Sequence, residues 1–117
     1  MRPRCLIVDD SPEFLASSTR LLESQGVDVV GSATTSEEAQ RAVETLLPDV
    51  VLVDIELGDE DGIELTKRLA LQTPSLRIVL ISAHDQDELV ELIADSAAVG
   101  FLPKRDLAAA AIENFFD

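Results

Sequence analysis

Five polar residues follow directly after short apolar segments, and their side chains have the chemistry needed to bind a cation and hold a phosphoryl group. They are Asp9, Asp10, Asp54, Ser82 and Lys104. Carboxylates gathered in one place repel one another, and a hard divalent ion such as Mg²⁺ removes that conflict. An aspartate beside the ion can act as a nucleophile, while a hydroxyl and an ammonium hold phosphoryl oxygens.

Each of these residues also has a common structural interpretation. The two adjacent aspartates, followed by Ser11 and Pro12, fit the start of a helix. An aspartate at a strand end is most often a turn residue, and a serine or lysine there can be a helix cap or a solvated charge. The chemical interpretation is favoured because all five follow predicted strands of one sheet.

That sheet is predicted from five short β-branched segments that alternate with stretches of helical period. The predicted strands are Arg4 to Asp9, Val27 to Ser32, Val50 to Asp54, Leu76 to Ser82 and Ala98 to Leu102. The first, third and fourth are nearly continuous hydrophobic runs, as expected of central strands buried on both faces. With strand order 2-1-3-4-5, the polar residues meet at the edge where open α/β sheets bind ligands.

The segments between the strands have recognisable helix starts and apolar faces. Thr35 and Glu38 predict a capping box for the second helix, and Pro48 marks its end. The apolar stripe of that helix is Ala39, Ala42, Val43, Leu46 and Leu47. The fourth helix is predicted to begin at Asp85 and Glu88, ahead of Leu89, Leu92 and Ile93. The last helix carries Ala108, Ile112, Phe115 and Phe116.

Length and charge narrow the class of protein. A chain of 117 residues has the common size of one domain, so a single domain over residues 1–117 is predicted. The net charge of −14 argues against direct binding of nucleic acid or an anionic membrane.

The lone cysteine, Cys5, lies in an apolar run and is expected to be inert. The apolar run near the N-terminus is too short to be a signal peptide or a membrane span, so a cytoplasmic protein is expected.

The chain resembles the receiver domains of response regulators throughout its length. The resemblance rests on Val8-Asp9-Asp10, Asp54-Ile55, Asp61-Gly62, Ser82-Ala83 and Gly100-Phe101-Leu102-Pro103-Lys104. Each segment is weak evidence alone, but their order and spacing are specific. The resemblance implies an α/β fold of the flavodoxin-like (βα)5 type, a doubly wound parallel sheet.

The same resemblance implies roles for the site residues. Asp54 would accept a phosphoryl group from a phosphohistidine on a sensor histidine kinase or a phosphotransfer protein. Mg²⁺ would be held by Asp9, Asp10, Asp54 and the backbone carbonyl of Glu56. Ser82 and Lys104 would contact the phosphoryl group. The domain would catalyse only its own phosphorylation and dephosphorylation, without turnover of an external substrate.

Phe101 would be the aromatic switch residue of such a domain. A phosphoryl group on Asp54 would draw the hydroxyl of Ser82 towards it, and the Phe101 ring would turn inward into the vacated space. This would change the surface of the fourth helix, fifth strand and fifth helix, the α4-β5-α5 surface. A homodimer or partner contact is expected there through one of three residues: Leu89, Phe115 or Phe116.

The lifetime of the phosphoryl group is expected to depend on two further residues. Glu56 and His84 lie two residues beyond Asp54 and Ser82, so both are expected to border the path by which water reaches the phosphoryl group. The alternative is that Glu56 is merely solvated and His84 merely begins a helix.

The chain departs from the common pattern of the family at two positions. The loop from Leu57 to Gly62 lacks a proline that many members carry, so a looser backbone is expected. Arg105 follows Lys104, where many members have a proline joined by a cis bond. Because a cis bond to a non-proline residue costs roughly 2.5–4 kcal/mol, no cis bond is expected there.

Three alternative functions compete with the switch. An interaction module that is never phosphorylated would not need the intact set of Asp10, Asp54 and Lys104. A phosphatase with an aspartyl nucleophile is suggested by the spacing of Asp54 and Glu56, but 117 residues leave no room for a substrate-selecting cap. A flavin carrier is disfavoured because the chain has no Trp, no Tyr and only four Phe to stack on the ring.

Overall fold

Five parallel strands form the central sheet of the protein. The computed structural model describes residues 2–83 and 90–116. The strands are β1 (Arg4–Val8), β2 (Asp28–Ala33), β3 (Val50–Asp54), β4 (Arg77–Ser82) and β5 (Gly100–Pro103). They pair in the order β2-β1-β3-β4-β5, which confirms the predicted topology. No strand end differs from its predicted position by more than two residues.

Helices cover both faces of this sheet. In the part of the chain that the structure describes, the α-helices are α1 (Pro12–Ser24), α2 (Ser36–Leu46), α3 (Gly62–Gln72), α4 (Val90–Ala94) and α5 (Ala109–Glu113). Successive side chains of a strand point to opposite faces, so Leu6 joins a buried cluster with α2 and α3, whereas Ile7 joins a second cluster with α1 and α5. The chain therefore has the doubly wound α/β fold that the sequence predicts.

The structure confirms most of the apolar stripe that was predicted for α2. Ala39 and Val43 are buried, and Ala42 and Leu46 pack against the same cluster. Leu47 was wrongly included in the apolar stripe: it is 71% exposed. The reason is that α2 ends at Leu46, and Leu47 takes a left-handed conformation with φ 51° ahead of Pro48.

The predicted capping box forms in a modified way. The Thr35 hydroxyl accepts a hydrogen bond from the Glu38 N–H at 3.2 Å, as predicted. The Glu38 carboxylate, however, accepts from the backbone N–H of Thr34 at 2.9 Å and from the Thr34 hydroxyl at 3.0 Å. These bonds hold the pKa of Glu38 below its ordinary value.

The C-terminal segment packs against the edge of the sheet. Phe115 and Phe116 lie in a 3₁₀ turn (Asn114–Phe116) that follows α5. A Cβ on Gly100 would lie 2.0 Å from the Phe115 ring, so the glycine makes room for that ring. Arg77 donates to the Phe115 carbonyl at 3.1 Å, and its guanidinium lies 4.6 Å from the centre of the Phe116 ring. Both rings therefore have contacts within the chain.

The loop between β3 and α3 forms a two-stranded antiparallel ribbon, which the sequence did not predict. Glu56 pairs with Asp61, and Leu57 pairs with Glu60. The turn contains Gly58 at φ 60°, a conformation that glycine adopts without strain. The loop thus has ladder pairing of its own, and the expectation of a looser backbone stays a prediction.

The remaining expectations concern the buried cysteine, the start of the fourth helix and membrane-spanning helices. Cys5 is fully buried, and burial raises its thiol pKa to about 12, as suits an inert core position. The predicted start of the fourth helix, including Asp85, Glu88 and Leu89, lies outside the described residues. Within residues 2–83 and 90–116, no helix is long and apolar enough to cross a membrane.

Candidate functional site

The predicted polar residues meet at one edge of the sheet. Because β1, β3, β4 and β5 are consecutive neighbours in the sheet, the residues at their carboxyl ends lie side by side. They surround an open pocket of about 260 Å³. Its lining consists of Asp10, Asp54, Glu56, Gly58, Ser82, Ala83 and Lys104. The structure thus brings together the side chains that the sequence assigned to one site.

Asp9 is buried beneath this pocket, directly after β1. Its side chain is fully inaccessible to solvent. Oδ1 accepts a hydrogen bond from the Ser11 N–H at 2.8 Å, and Oδ2 lies 2.7 Å from Nζ of Lys104. The cap of α1 is Ser11, whose hydroxyl accepts from the Phe14 N–H at 3.2 Å. The helix start therefore uses Ser11 and leaves the carboxylates of both aspartates at the site.

Asp54 ends β3 at the centre of the pocket and is also buried. Oδ1 accepts from the Glu56 N–H at 3.0 Å, and Oδ2 accepts from Nζ of Lys104 at 3.2 Å. Burial raises the pKa of Asp54 to about 6, because loss of hydration outweighs the stabilisation from the Glu56 N–H and from Lys104, and Asp9 adds repulsion. The carboxyl group of Asp54 is thus held in a fixed orientation, in surroundings that disfavour its charged form.

Lys104 bridges the two buried carboxylates from the far side of the site. It begins the 3₁₀ turn Lys104–Asp106, which directly follows β5. Its ammonium contacts Asp9 and Asp54 and lies 4.3 Å from the centre of the Phe14 ring. Burial lowers the pKa of Lys104, but hydrogen bonding and attraction to the two aspartates outweigh it, so the pKa is raised overall. The peptide bond to Arg105 is trans, as expected.

The donor set fits a hard divalent cation. One carboxylate oxygen from each of Asp9, Asp10 and Asp54 lies within 4.8 Å of the others. Asp9 Oδ2 is buried beside the ammonium of Lys104 and accepts no hydrogen bond of normal geometry among the described residues, so it has the capacity to bind a metal ion. Asp10 is exposed to solvent and lies beside Gly58. Three oxygen ligands next to open solvent suit Mg²⁺, which keeps several of its waters.

A family model described as the response regulator receiver domain matches residues 5–113. The chain belongs to the response regulator receiver domain family. The matched range includes all five strands but the first residue of β1, and it includes every carboxylate of the site. Membership of this family places the protein in two-component signal transduction.

Individual relatives agree with this membership. Response regulator GacA of Pseudomonas viridiflava is 31% identical over 102 residues, which cover 86% of this chain and 48% of that protein. Response regulator UvrY of Escherichia coli (strain K12) is 33% identical over 100 residues, which cover 85% of this chain and 46% of that protein. The chain thus spans about half the length of the curated relatives it matches.

Solved structures agree as well. The signal receiver domain of the response regulator NarL from Mycobacterium tuberculosis has a TM-score of 0.85 and 30% sequence identity. The match covers 98% of this chain and 97% of that one. The flavodoxin-like receiver fold is therefore shared over almost the whole chain.

Of the other residues that the sequence assigned to the site, two are buried, one is exposed at the rim of the pocket and one lies outside the described residues. Ser82 is buried at the end of β4 and lines the pocket. Phe101 lies within β5, is only 8% exposed and belongs to the buried cluster of α2 and α3. The Glu56 side chain is exposed at the rim. His84 lies outside the described residues.

Three contributors to the site were not singled out from the sequence. Phe14 places its ring against the ammonium of Lys104, Gly58 forms the turn beside Asp10, and Glu60 connects the ribbon to α2 through Ser36. Of the three, only Gly58 could have been found from the sequence, since it stands in a loop where many members of the family carry a proline. Phe14 and Glu60 depend on contacts between distant segments, which periodicity does not reveal.

The raised pKa of Asp54 leads to a prediction for the metal-free receiver domain. A protonated Asp54 is favoured by the fold, so its stabilising contribution is full below its ordinary pKa of 3.8 and is lost as the pH rises to about 6. Relative to wild type, Asp54→Asn should therefore become about 2–3 kcal/mol more stable between roughly pH 4 and pH 7. Urea unfolding in EDTA at several pH values measures this difference. The exposed variant Asp59→Asn should track wild type, and parallel curves for Asp54→Asn would contradict the prediction.

Proposed function

We propose that the receiver domain is a phosphorylation-controlled switch in which Asp54 accepts a phosphoryl group with the help of Mg²⁺. The observation that carries this proposal is the buried carboxylate of Asp54, held between Lys104 at 3.2 Å and the two aspartates that follow β1. Asp9, Asp10, Asp54 and the carbonyl of Glu56 would hold the ion. Bound Mg²⁺ supplies positive charge that offsets the charge of the phosphoryl oxygens.

The residues of the chain divide the remaining work of phosphoryl transfer. The P–N bond of a donor phosphohistidine breaks as a carboxylate oxygen of Asp54 forms a P–O bond. The released imidazole nitrogen keeps the electron pair and takes up a proton from solvent. The Glu56 N–H orients Asp54 through Oδ1. Lys104 carries three donors, so it can bind a phosphoryl oxygen while it remains paired with Asp9.

A sensor histidine kinase or a phosphotransfer protein would supply the phosphoryl group. The alternative is an interaction module with the same fold that is never phosphorylated. Incubation of the wild-type protein with a small phosphodonor, with Mg²⁺ or with EDTA, separates the two functions. Labelling that requires Mg²⁺ supports the switch, whereas a protein that stays unlabelled in both conditions supports the interaction module.

We also propose that phosphorylation alters the α4-β5-α5 surface through Ser82 and Phe101. Phe101 is only 8% exposed in this structure, so the proposed change requires a second, more exposed position of its ring. Burial of such a ring is worth roughly 1.5–3 kcal/mol, which biases two conformations without locking one. NMR signals of the Phe101 ring, compared with and without beryllofluoride, test this role. Identical spectra for Phe101 and α5 would show that this face does not carry the output.

The acidic charge of the domain bears on nucleic acid as a partner. The relative called DNA-binding transcriptional activator EvgA, from Escherichia coli (strain K12), is 30% identical over 101 residues, which cover 50% of that protein. We propose that the present 117 residues do not contact DNA, because a net charge of −14 opposes approach to phosphates. A gel-shift titration of these residues with duplex DNA tests it, and salt-dependent binding would contradict it.

A further inference from the structure

We infer that Glu60 is a positioning residue for the metal and phosphoryl site, because its carboxylate ties the β3–α3 ribbon to the first turn of α2. Oε1 of Glu60 accepts a hydrogen bond from the backbone N–H of Ser36 at 3.0 Å. The two residues are 24 positions apart in the chain. Glu60 does not line the pocket, so any effect on the site must act through the ribbon. This inference rests on the proposed function.

The ribbon carries atoms that form one wall of the site. Its first strand contains Glu56, which lines the pocket and whose N–H holds Asp54. Its turn places Gly58 beside the Asp10 carboxylate, where a Cβ would be 3.4 Å from Oδ2. Leu57 anchors the ribbon to the core from below and is 1% exposed. A shift of the ribbon would therefore move the Glu56 backbone and the neighbour of Asp10 together.

The turn of the ribbon is built on a flexible residue. Gly58 has φ 60°, a conformation that glycine adopts without strain and that leaves the turn with little rigidity of its own. The Glu60 side chain lies across the ladder from Leu57 and supplies an external attachment. Its bond joins a carboxylate to an unsatisfied N–H at a helix N-terminus, where negative charge is favourable.

The electrostatics of Glu60 agree with an ionised tether at neutral pH. The backbone N–H and the hydroxyl of Ser36 lower the pKa of the Glu60 carboxyl below its ordinary value. Thr35, the N-cap of α2, uses its own hydroxyl for Glu38. The Ser36 N–H is therefore bonded by Glu60 from another segment of the chain, and α2 and the ribbon are held by the same contact.

A helix cap with no role at the site would behave differently from a positioning residue. Loss of a simple cap lowers the free energy of unfolding but leaves the affinity of the folded site for Mg²⁺ unchanged. Loss of a tether also weakens Mg²⁺ binding, because the ribbon must be ordered when the ion binds. The Mg²⁺ dissociation constant of the folded protein is therefore the measurement that separates the two roles.

Four single variants of the chain and one double variant, titrated with Mg²⁺ by isothermal calorimetry, test the inference. Glu60→Ala removes the acceptor, and Glu60→Gln removes the charge but keeps an oxygen acceptor. Ser36→Pro removes the donor without touching the ribbon. Proline is suited to this first helical position, and Thr35 before it is already extended, with φ −134° and ψ 164°. Asp59→Ala is the matched control, because it removes a neighbouring exposed carboxylate from the turn.

The dissociation constant should rise about tenfold for Glu60→Ala and for Ser36→Pro, the lower end of what loss of an outer-shell partner costs. Glu60→Gln and Asp59→Ala should stay within about twofold of wild type, and the double variant Glu60→Ala/Ser36→Pro should bind no more weakly than either single variant. An unchanged constant in Glu60→Ala would overturn the inference. Equal weakening by Glu60→Gln and Asp59→Ala would also overturn it, since charge alone would then explain the effect.

Amide hydrogen exchange measured without Mg²⁺ keeps this test distinct from the proposed function. Glu60→Ala should accelerate exchange across residues 56–62, while Asp59→Ala leaves it as in wild type. A wild-type protein that binds no Mg²⁺ would contradict the proposed function, and faster exchange in Glu60→Ala would still support the tether. Unchanged exchange and unchanged Mg²⁺ affinity in Glu60→Ala would overturn the tether alone.

Discussion

Asp54→Asn should abolish incorporation of phosphate from a small phosphodonor in the presence of Mg²⁺. The amide is isosteric with the carboxylate, so the hydrogen bonds from the Glu56 N–H and from Lys104 to its oxygen can persist in part. It lacks the charged oxygen that must attack phosphorus, and the initial rate should fall by about a hundredfold or more. Phosphate incorporation measured by intact-protein mass spectrometry gives the result directly.

The control for this variant is Asp59→Asn, which makes the same chemical change at an exposed position of the neighbouring turn. It should be labelled at the wild-type rate, and both variants should give wild-type far-ultraviolet circular dichroism spectra. Full labelling of Asp54→Asn would refute Asp54 as the acceptor. Labelling of that variant at another site, found by peptide mapping, would assign the acceptor role to a different carboxylate.

Gly62→Ala should destabilise the fold more than any other single methyl addition in the β3–α3 region. Gly62 begins α3 directly under the end of β3, and a Cβ there would lie 2.0 Å from the carbonyl oxygen of Asp54. The obstructing atom belongs to the backbone of a central strand, so neither side can rotate away. We expect the free energy of unfolding to fall by about 3 kcal/mol or more, and the melting temperature by about 10 °C.

Gly31→Ala provides a comparison with the same added atom. A Cβ on Gly31 in β2 would meet Cδ1 of Leu46 at 2.8 Å, which is the end of a flexible side chain. Its effect should therefore stay within about 1 kcal/mol, since a rotamer change relieves the contact. Thermal and urea unfolding of the two variants in EDTA measure both effects. Similar stability of the two variants would show that the approach of α3 to β3 is not a close-packing constraint.

Most of the site could be predicted from the sequence because its residues are tied to strand ends. Asp54 and Ser82 are the last residues of β3 and β4, and Lys104 follows the last residue of β5. In a parallel sheet all such ends lie on one edge, whatever the detailed packing. The run of apolar residues in β3, buried on both faces, also identified it as a central strand. The convergence of carboxylates, hydroxyl and ammonium therefore followed from the positions of these residues at strand ends, whereas the strand order 2-1-3-4-5 came with the resemblance to receiver domains.

The details within that edge depended on contacts between distant segments. Lys104 could have faced solvent, but packing on Phe14 and the two buried carboxylates places its ammonium 2.7 Å from Asp9. Such a contact depends on rotamers and on distances between segments that only the packed structure sets. Leu47 shows the same limit: helical spacing placed it on the apolar stripe, yet a left-handed turn at the helix end exposes it.

The sequence by itself determined the α/β fold class and the identity of the acidic site, because these depend on periodicity and on which residues follow each strand, and its resemblance to receiver domains supplied the strand order. The tertiary structure decided how the β3–α3 loop is held. The pairing of Leu57 with Glu60 and the bond from Ser36 to Glu60 leave no periodic signal, since one is a local ladder of two residues and the other joins segments 24 positions apart. Their energies arise only when α2 and the ribbon are already packed on the same face of the sheet.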